Sequence, residues 1–293
     1  MRIGVDFTNS LIKVGIVGEG RVLRSSVIEA PSLAEPPQIF DAIARAVLAL
    51  GNQPQAVGVA IPGEVNGDGR CWRLPNTSGF EGVRIAEEIS VRVGCPILVE
   101  NRATAAALAE QLYGHGLRHD TFLLVSLDTG IGGGLVIGRQ LYPGSNGFGA
   151  EIGHVRVDSS PDAPICGCGQ RGCLEAFAGT PAVVRRFVEL GGKADDFLEV
   201  VASAQRAKWI GLLSLETMGR ALGRALATTQ NVLDLGAVVF AGAGARYFAL
   251  LEPYVREELR LNAFAPPLAE VPLLSSSLGE DAAMIGAAYL TTL

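Results

Sequence analysis

The sequence predicts an α/β protein of two similar lobes, each with a sheet covered by helices. Strand-like and helical segments alternate along the chain, which is typical of sheets flanked by helices. The order of segments restarts near Thr121, so each half opens with three strand-like segments in a meander. A chain of 293 residues is long enough for two ordinary domains. We expect a cleft between such lobes, where small-molecule sites commonly lie.

In the first half, apolar–polar alternation predicts strands and the helical apolar period predicts helices. The predicted strands are residues 3–6, 11–17, 22–28, 56–61 and 96–100. The predicted helices are residues 36–50, 82–93 and 103–113, the last of them rich in alanine, the strongest helix former.

In the second half, the same patterns predict strands at 121–127, 133–137, 139–142, 237–241 and 272–275. The predicted helices are 181–190, 194–207, 210–234, 247–261 and 280–290. We place the lobes at residues 1–115 and 116–293, and expect the closing segment 280–293 to pack back onto the first lobe.

Composition narrows the classes of partner. The net charge of −6 lacks the basic character of a nucleic-acid-binding domain, so we expect no direct nucleic-acid contact. The apolar run at 235–245 is too short to span a bilayer. The first residues, Arg2-Ile3-Gly4-Val5-Asp6, lack the form of a signal peptide, which favours a cytoplasmic protein without membrane contact.

Residues 151–175 carry the most specific pattern in the chain. His154, Cys166, Cys168 and Cys173 form a set of three thiols and one imidazole, which favours a structural zinc site in loop 154–173. Glycines between the thiols let the backbone bend around an ion. The alternatives are ordinary buried cysteines, or a disulfide that would leave one odd thiol. Glu151 and Glu175 flank the cluster, so a metal that fixes the loop also fixes two carboxylates, as suits a polyhydroxylated ligand.

Two glycine-rich turns suggest anion binding. Residues 128–134, Asp-Thr-Gly-Ile-Gly-Gly-Gly, follow a strand, and their backbone N–H groups could turn towards a phosphate. A plain hairpin is the alternative. Residues 241–244, Ala-Gly-Ala-Gly, end another strand before a helix, where a nucleoside could approach the backbone.

Together these segments resemble the ROK family of bacterial sugar kinases and sugar-responsive repressors, over nearly the whole chain. The most specific match is Cys166-Gly167-Cys168-Gly169-Gln170-Arg171-Gly172-Cys173-Leu174-Glu175. The stretch from Thr129 through Tyr142-Pro143-Gly144 to Glu151-Ile152-Gly153-His154 adds to it. The resemblance implies a two-lobed actin-like ATPase (ribonuclease H-like) fold with a zinc-binding loop in the second lobe. Members phosphorylate glucose, N-acetylmannosamine and related hexoses with ATP and magnesium.

The resemblance also implies site residues, a structural Zn²⁺ ion, ATP and Mg²⁺ as ligands, and a homodimer formed through the second lobe. The implied sugar-binding residues are Gly63, Asn76, Asn101, Glu151, His154 and Glu175. The implied nucleotide-side residues are Asp6, Ser10, Thr129, Gly130, Gly242 and Gly244, with Asp6 on the magnesium side.

One departure from the family concerns the base. Sugar-phosphorylating members carry Asn-Asp after the strand that ends near residue 100, and the aspartate takes the proton of the attacking hydroxyl. Here Arg102 follows Asn101 and so stands at the position of that catalytic aspartate. A guanidinium stays protonated and cannot act as a base. Losing a positioned base typically costs about 10²- to 10⁴-fold in rate.

A second departure concerns the first phosphate loop. The family pattern is Asp, any residue, Gly, Gly, Thr, whereas this chain reads Asp6-Phe7-Thr8-Asn9-Ser10. Both glycines are absent, and Thr8 is β-branched and stiff. We therefore expect a loop of different shape.

These departures favour a sugar-binding relative, a sensor or scaffold, in which phosphoryl transfer is lost or weak. The alternative is an active ATP-dependent kinase of glucokinase or N-acetylmannosamine kinase type, with Glu100 or Glu64 as substitute base. A repressor of this family would carry a winged helix before the first loop, where this chain begins. Arg102 itself could bind an anionic sugar group, or pair with Glu100 or Glu64.

Overall fold

The computed structural model describes residues 2–8, 11–30, 35–51, 54–75 and 77–292. The chain divides into two compact units. The first comprises Met1–Asp120, Gly134–Ala150 and Ser277–Leu293, and the second comprises Thr121–Gly133 and Glu151–Ser276. These bounds differ from the lobes drawn at 1–115 and 116–293, because Gly134–Ala150 groups with the first unit. Close packing accounts for this, since a side chain at Gly134 would lie 2.5 Å from the carbonyl oxygen of Ala103.

Twelve strands are present among the described residues. In chain order they are β1 (Arg2–Phe7), β2 (Leu11–Gly18), β3 (Arg21–Glu29), β4 (Val57–Ile61), β5 (Glu64–Val65), β6 (Cys71–Arg73), β7 (Ile97–Asn101), β8 (Phe122–Leu127), β9 (Ile131–Ile137), β10 (Gln140–Leu141), β11 (Ala237–Ala241) and β12 (Leu273–Ser275).

Ten α-helices accompany them within the same residues. In chain order they are α1 (Pro36–Leu48), α2 (Ile85–Val93), α3 (Arg102–Tyr113), α4 (Glu175–Ala178), α5 (Thr180–Glu189), α6 (Phe197–Gln205), α7 (Trp209–Leu233), α8 (Phe248–Asn262), α9 (Pro266–Ala269) and α10 (Ala282–Leu290). None of the helices in this part of the chain combines the length and the apolar character needed to cross a bilayer.

The two large sheets have the same strand order. The first runs β3-β2-β1-β4-β7 and the second runs β10-β9-β8-β11-β12. In the first sheet β1, β4 and β7 are parallel, and β2 and β3 pair antiparallel. In the second, β8, β11 and β12 are parallel. The repeated meander predicted from the sequence is therefore present in both halves.

Helix α10 packs against the first sheet at glycines. All nine of its residues are buried. A side chain at Gly4 of β1 would lie 2.1 Å from the carbonyl oxygen of Met284, and one at Gly58 of β4 would lie 1.7 Å from that of Ala287. A side chain at Gly286 would likewise lie 1.6 Å from the carbonyl oxygen of Ala105 in α3. The closing helix is thus part of the core of the first unit.

One helix boundary and several short elements differ from the sequence pattern. Helix α6 begins at Phe197 rather than 194, because the Asp196 carboxylate accepts the N–H of Glu199 as an N-cap. The small β5–β6 hairpin and the one-turn helices α4 and α9 were not predicted, since each is too short to show a period.

Candidate functional site

In the first unit, β1 and the first residue of α3 are joined by an ion pair. Asp6 lies in β1 and is 2% exposed. The Arg102 guanidinium donates from Nε to Oδ1 at 2.6 Å and from a terminal nitrogen to Oδ2 at 3.2 Å. One guanidinium thus binds both oxygens of one carboxylate, the bidentate geometry of strong arginine–carboxylate pairs. The sequence pattern suggested Glu100 or Glu64 as the partner of Arg102 and gave no indication of Asp6.

Asn101 and Gly63 lie together beside this pair. The Asn101 side-chain oxygen accepts the N–H groups of Ala103 at 2.8 Å and Thr104 at 3.4 Å, and so caps α3. Its amide nitrogen donates to the carbonyl oxygen of Gly63 at 3.1 Å. An amide nitrogen carries two hydrogens, so a second one remains for a ligand. Gly63 has no room for a side chain, which would lie 2.2 Å from the carbonyl oxygen of Arg73.

Glu100, considered from the sequence as a substitute base, turns back onto its own strand end. Its Oε1 accepts the N–H of Asn101 at 2.8 Å. Burial raises the pKa of the Glu100 carboxyl, and the hydrogen bond from Asn101 offsets only part of that rise. The raised pKa makes the Glu100 carboxylate a stronger proton acceptor than an ordinary glutamate.

In the second unit, four metal-binding side chains converge. The ligand atoms of His154, Cys166, Cys168 and Cys173 all lie within 4.8 Å of one another. Cys166 Sγ lies 3.6 Å from His154 Nδ1, and Cys168 Sγ lies 3.8 Å from Cys173 Sγ. Sulfur atoms around one tetrahedral zinc ion are separated by about 3.8 Å, given Zn–S bonds of about 2.3 Å. The cluster is therefore compatible with a zinc site, as predicted.

The loop backbone holds this arrangement. The Cys166 N–H donates to the carbonyl of Gln170 at 2.8 Å, and Gly169 has a left-handed φ of 89°. Burial raises the pKa of the Cys166 thiol, and the nearby Glu175 carboxylate adds to the rise. Without a metal this thiol keeps its proton. A zinc ion would displace that proton on binding, as is general for thiolate ligands.

The two glutamates flanking the cluster lie against it. Cys166 Sγ lies 3.5 Å from Glu175 Oε1, while the other oxygen of Glu175 accepts the N–H of Ile131 at 3.1 Å. His154 Nε2 lies 3.9 Å from Glu151 Oε2. Since Nδ1 faces the thiols, Nε2 and its glutamate are directed away from the metal-binding side. Both carboxylates therefore lie beside the cluster, and their fixation by a metal stays a prediction.

The two glycine turns of the second unit meet at Asp128, a residue that is not among the predicted site residues. Its carboxylate accepts the Ser126 hydroxyl at 2.7 Å and the Ala243 N–H at 2.9 Å. Gly242 has a φ of 83°, and a side chain there would lie 2.5 Å from the Asp128 carboxylate. The sequence does carry a signal for this residue, because Asp128 stands at the end of a predicted strand and directly before a glycine-rich turn.

The glycine run forms the turn and first half of a hairpin strand. Gly132, Gly133 and Gly134 lie inside β9, so their backbone takes part in a strand. Only residues 128–130 form the turn, in which the Asp128 N–H donates to the carbonyl of Gly130 at 3.1 Å. Of the predicted phosphate contacts, Thr129 and Gly130 lie in that turn. Gly132, Gly133 and Gly134 agree with the hairpin that the sequence left open as the alternative, and phosphate contact by Thr129 and Gly130 stays a prediction.

A family model described as "ROK family" matches residues 2–292 of the chain. The chain belongs to the ROK family. A glucokinase of Streptomyces coelicolor is 31% identical over 313 residues, covering 99% of this chain and 97% of that protein. The xylose repressor of Bacillus subtilis is 27% identical, covering 97% of this chain and 74% of the repressor.

The fold agrees with ROK structures. A ROK glucokinase from Streptomyces griseus, solved in complex with glucose and AMPPNP, superposes with a TM-score of 0.85 at 31% identity. The match covers 99% of this chain and 98% of that one. The α/β fold with two sheets is thus the actin/hexokinase-like fold of ROK sugar kinases, as the resemblance implied.

The structure locates most of the residues that the ROK resemblance marked. In the first unit, Asp6, Gly63, Asn101 and Arg102 lie at the ends of β1, β4 and β7 or directly after them. In the second, Glu151, His154 and Glu175 gather at the cysteine loop, and Thr129, Gly130, Gly242 and Gly244 gather around Asp128. Ser10 and Asn76 fall outside the described residues.

Proposed function

We propose that this ROK-family protein binds a hexose-type sugar and that its phosphoryl transfer from ATP is lost or very slow. It would then serve as a sugar sensor or scaffold. The bidentate pair between Arg102 and Asp6 carries the proposal. It joins the residue at the base position to the carboxylate that the family resemblance places on the magnesium side.

The pair opposes transfer in two ways. Arg102 stays protonated at all relevant pH values, so it cannot accept the proton of an attacking hydroxyl. Both oxygens of Asp6 already accept from the guanidinium, whereas Mg²⁺ requires carboxylate or water oxygens in a near-octahedral shell. A magnesium ion near Asp6 would meet the positive charge of a guanidinium that already contacts both carboxylate oxygens.

The first hairpin supports the same conclusion. The Thr8 hydroxyl accepts the N–H of Leu11 at 2.9 Å, and the Thr8 N–H donates to the carbonyl of Leu11 at 2.7 Å. These groups close the turn between β1 and β2. They are therefore engaged within the protein where a phosphate loop would direct donors towards its ligand.

The sugar-binding half of the proposal rests on the cysteine loop. Glu151, His154 and Glu175 offer two carboxylates and an imidazole, which accept and donate hydrogen bonds to sugar hydroxyls. When bound, a zinc ion on His154, Cys166, Cys168 and Cys173 would fix the loop that carries them. Within the first unit, Asn101 and Gly63 are the sugar contacts that the resemblance implies. We also propose a homodimer, as the resemblance implies.

An active kinase of glucokinase or N-acetylmannosamine kinase type is the second candidate. The similarity to a Streptomyces coelicolor glucokinase favours it. It requires ATP and Mg²⁺ to bind, with Glu100 or Glu64 as base. The raised pKa of Glu100 is the observation that favours this reading.

A coupled ADP-release assay over a panel of hexoses, run beside calorimetric titration of the same sugars, separates these candidates. We expect the natural protein to bind at least one hexose without turnover, and Arg102→Asp to gain turnover. Strong turnover by the natural protein would reject the loss of transfer. Failure to bind any hexose would reject the sugar ligand. If sugar binds but both proteins are inactive, the hairpin at Thr8 becomes the cause to test.

A further inference from the structure

A cavity of about 730 Å³ lies in the second unit, where the end of α5, one face of α6 and the start of α7 meet. Its volume falls within the roughly 300–1,000 Å³ of small-molecule pockets. The α6 residues that line it are Glu199, Ala202, Ser203 and Arg206. Since a helix turns about 100° per residue, these four project on the face opposite Phe197. The Phe197 ring contacts Tyr247, which follows the glycine turn at 241–244. The cavity therefore lies on the other face of α6 from the turn that the resemblance assigns to a nucleotide.

Three cationic side chains without partners line this cavity. Lys193, Arg206 and Lys208 form no ion pair and no side-chain hydrogen bond within the described residues. Among the described residues of the lining, Glu199 is the one acid, and its carboxylate already accepts the N–H of Asp195 at 2.8 Å. Three cations against one acid leave a net charge of +2 on the lining. A concave wall of one charge sign attracts ligands of the opposite sign, so the cavity favours an anion.

The first turn of α7 adds to the positive potential of the cavity. The helix begins at Trp209, and its first N–H groups have no acceptor within the helix. Lys208 occupies the N-cap position, where its side chain offers no acceptor and makes no capping bond, and the first turn holds no acid. Cations are unfavourable at this end of a helix, because the macrodipole is positive there. An anion bound at this turn would therefore relieve the repulsion and meet both N–H groups and cations.

The Ser203 side chain points to a ligand independently of the charges. Ser203 lines the cavity and is 8% exposed, yet its hydroxyl has no hydrogen-bond partner among the residues that the structure describes. Polar groups so far removed from bulk water are normally hydrogen-bonded. The hydroxyl oxygen is not sealed inside the protein, so a molecule in the cavity can reach it. An oxygen of a bound anion would supply the missing acceptor.

Aromatic side chains line the same cavity. Trp209 is 62% exposed, and Phe187 contributes a second, buried ring to the lining. An indole presents a large flat apolar surface on which another ring can stack. Trp209 directly follows Lys208 in the chain, so a ligand that carries both a ring and an anionic group could contact the two together. A phosphate monoester carries about −1.5 to −2 charges at neutral pH, which matches the net charge of the lining.

We propose that this cavity binds a phosphate monoester of a ring-bearing small molecule. The phosphate would meet Lys193, Arg206, Lys208 and the first turn of α7, with Ser203 donating to a phosphate oxygen, while the ring lies against Trp209. Sugar phosphates and nucleoside monophosphates share this chemistry. The inference is independent of the sugar site and of the loss of transfer, because every group that it uses lies on α5, α6, α7 or their connections.

Calorimetric titration of the natural protein with inorganic phosphate, glucose 6-phosphate and AMP tests the site. We expect at least one ester to bind about tenfold more tightly than inorganic phosphate, and the tighter ester identifies the source of the ligand. The double variant Arg206→Gln/Lys208→Gln should weaken that binding at least about tenfold, because it removes two of the three cations. Arg118→Gln removes an exposed cation of the first unit and should leave binding unchanged.

Two further variants test the individual contacts. Trp209→Ala should weaken the ester and leave inorganic phosphate unaffected, whereas Ser203→Ala should weaken both. Thermal unfolding of each variant would show that it folds, so that a loss of binding is attributable to the cavity. A natural protein that binds neither ester overturns the proposal. So does binding that the double variant retains, since the probe would then occupy another site. Equal losses of ester and inorganic phosphate in Trp209→Ala would refute the contact between the ring and Trp209.

Discussion

Arg102 and Asp6 are 96 residues apart in the sequence, yet their side chains form a bidentate ion pair between α3 and β1. The Asp6 side chain is 3% exposed and that of Arg102 is 27% exposed. The guanidinium therefore keeps contact with solvent, whereas the carboxylate that it neutralises is almost fully buried. Breaking a buried pair by removing one partner is far more costly than its net contribution suggests.

Replacement of Arg102 by alanine should therefore destabilise the protein. A fully buried pair loses about 3–5 kcal/mol on such truncation, and solvent access at Arg102 reduces the expected loss to about 2 kcal/mol. Urea unfolding would measure it, with Arg118→Ala as the exposed control. An unchanged free energy of unfolding would contradict the stabilising role of the pair.

Magnesium should stabilise the Arg102→Ala variant against heat but not the natural protein. Once Arg102→Ala leaves both oxygens of Asp6 unoccupied by the guanidinium, a cation gains a buried carboxylate ligand. We expect millimolar MgCl₂ to raise the thermal midpoint of the variant and to leave that of the natural protein nearly unchanged. Equal shifts in both would contradict the blocking role of the pair, and NaCl of matched ionic strength is the control.

The cysteine loop should contain one zinc ion per chain. Elemental analysis of protein purified without added metal would show it, and Cys168→Ser should abolish it because three ligands are not a closed structural site. Cys95→Ala removes a thiol that lies in the core of the first unit, and should keep the zinc. A natural protein free of zinc would refute the metal site. Equal zinc contents in the two variants would exclude Cys168 as a ligand.

Glu100 should make stability fall as pH rises. Burial raises its pKa in the folded state, so the folded protein holds the proton more tightly than the unfolded chain does. The loss of stability begins at the ordinary carboxyl value of 4.5 and is complete above the folded pKa. Glu100→Gln keeps an oxygen to accept the Asn101 N–H and should be more stable than the natural protein at neutral pH.

That advantage should disappear in unfolding experiments carried out below pH 4.5, where both states of the natural protein are protonated. Glu252→Gln, at an exposed position on α8, controls for a general effect of removing one negative charge. A pH-independent difference between Glu100→Gln and the natural protein would contradict the assignment of this titration to Glu100.

The packing of α10 predicts a sharp difference between two glycine-to-alanine variants. A side chain at Gly58 would lie 1.7 Å from the carbonyl oxygen of Ala287, so the helix must shift. We expect Gly58→Ala to cost about 3 kcal/mol of unfolding free energy. Gly67→Ala meets its nearest atom at 3.8 Å and should change stability by less than about 1 kcal/mol. Similar losses in both would show that α10 packs differently.

The sequence predicted those features that depend on local pattern. The order of strand-like and helical segments predicted the repeated sheet. The close spacing of three cysteines and His154 predicted the metal-binding cluster. Sequence-based prediction failed for contacts between residues that are far apart in the chain. Nothing near Arg102 in the sequence points to Asp6. Nothing near Gly134 in the sequence points to Ala103 of α3, against which it packs.

The position of α10 has a consequence for synthesis on the ribosome. Gly4 and Gly58 lie directly beneath it, so the first unit lacks part of its core until residues 282–290 have left the exit tunnel. Domains fold as units while the chain emerges at about 5–20 residues per second. The residues of the second unit, which end at Ser276, are therefore available to fold before the earliest strands acquire their last packing partner. A nascent chain stalled after Ser276 should leave β1 and β4 sensitive to protease.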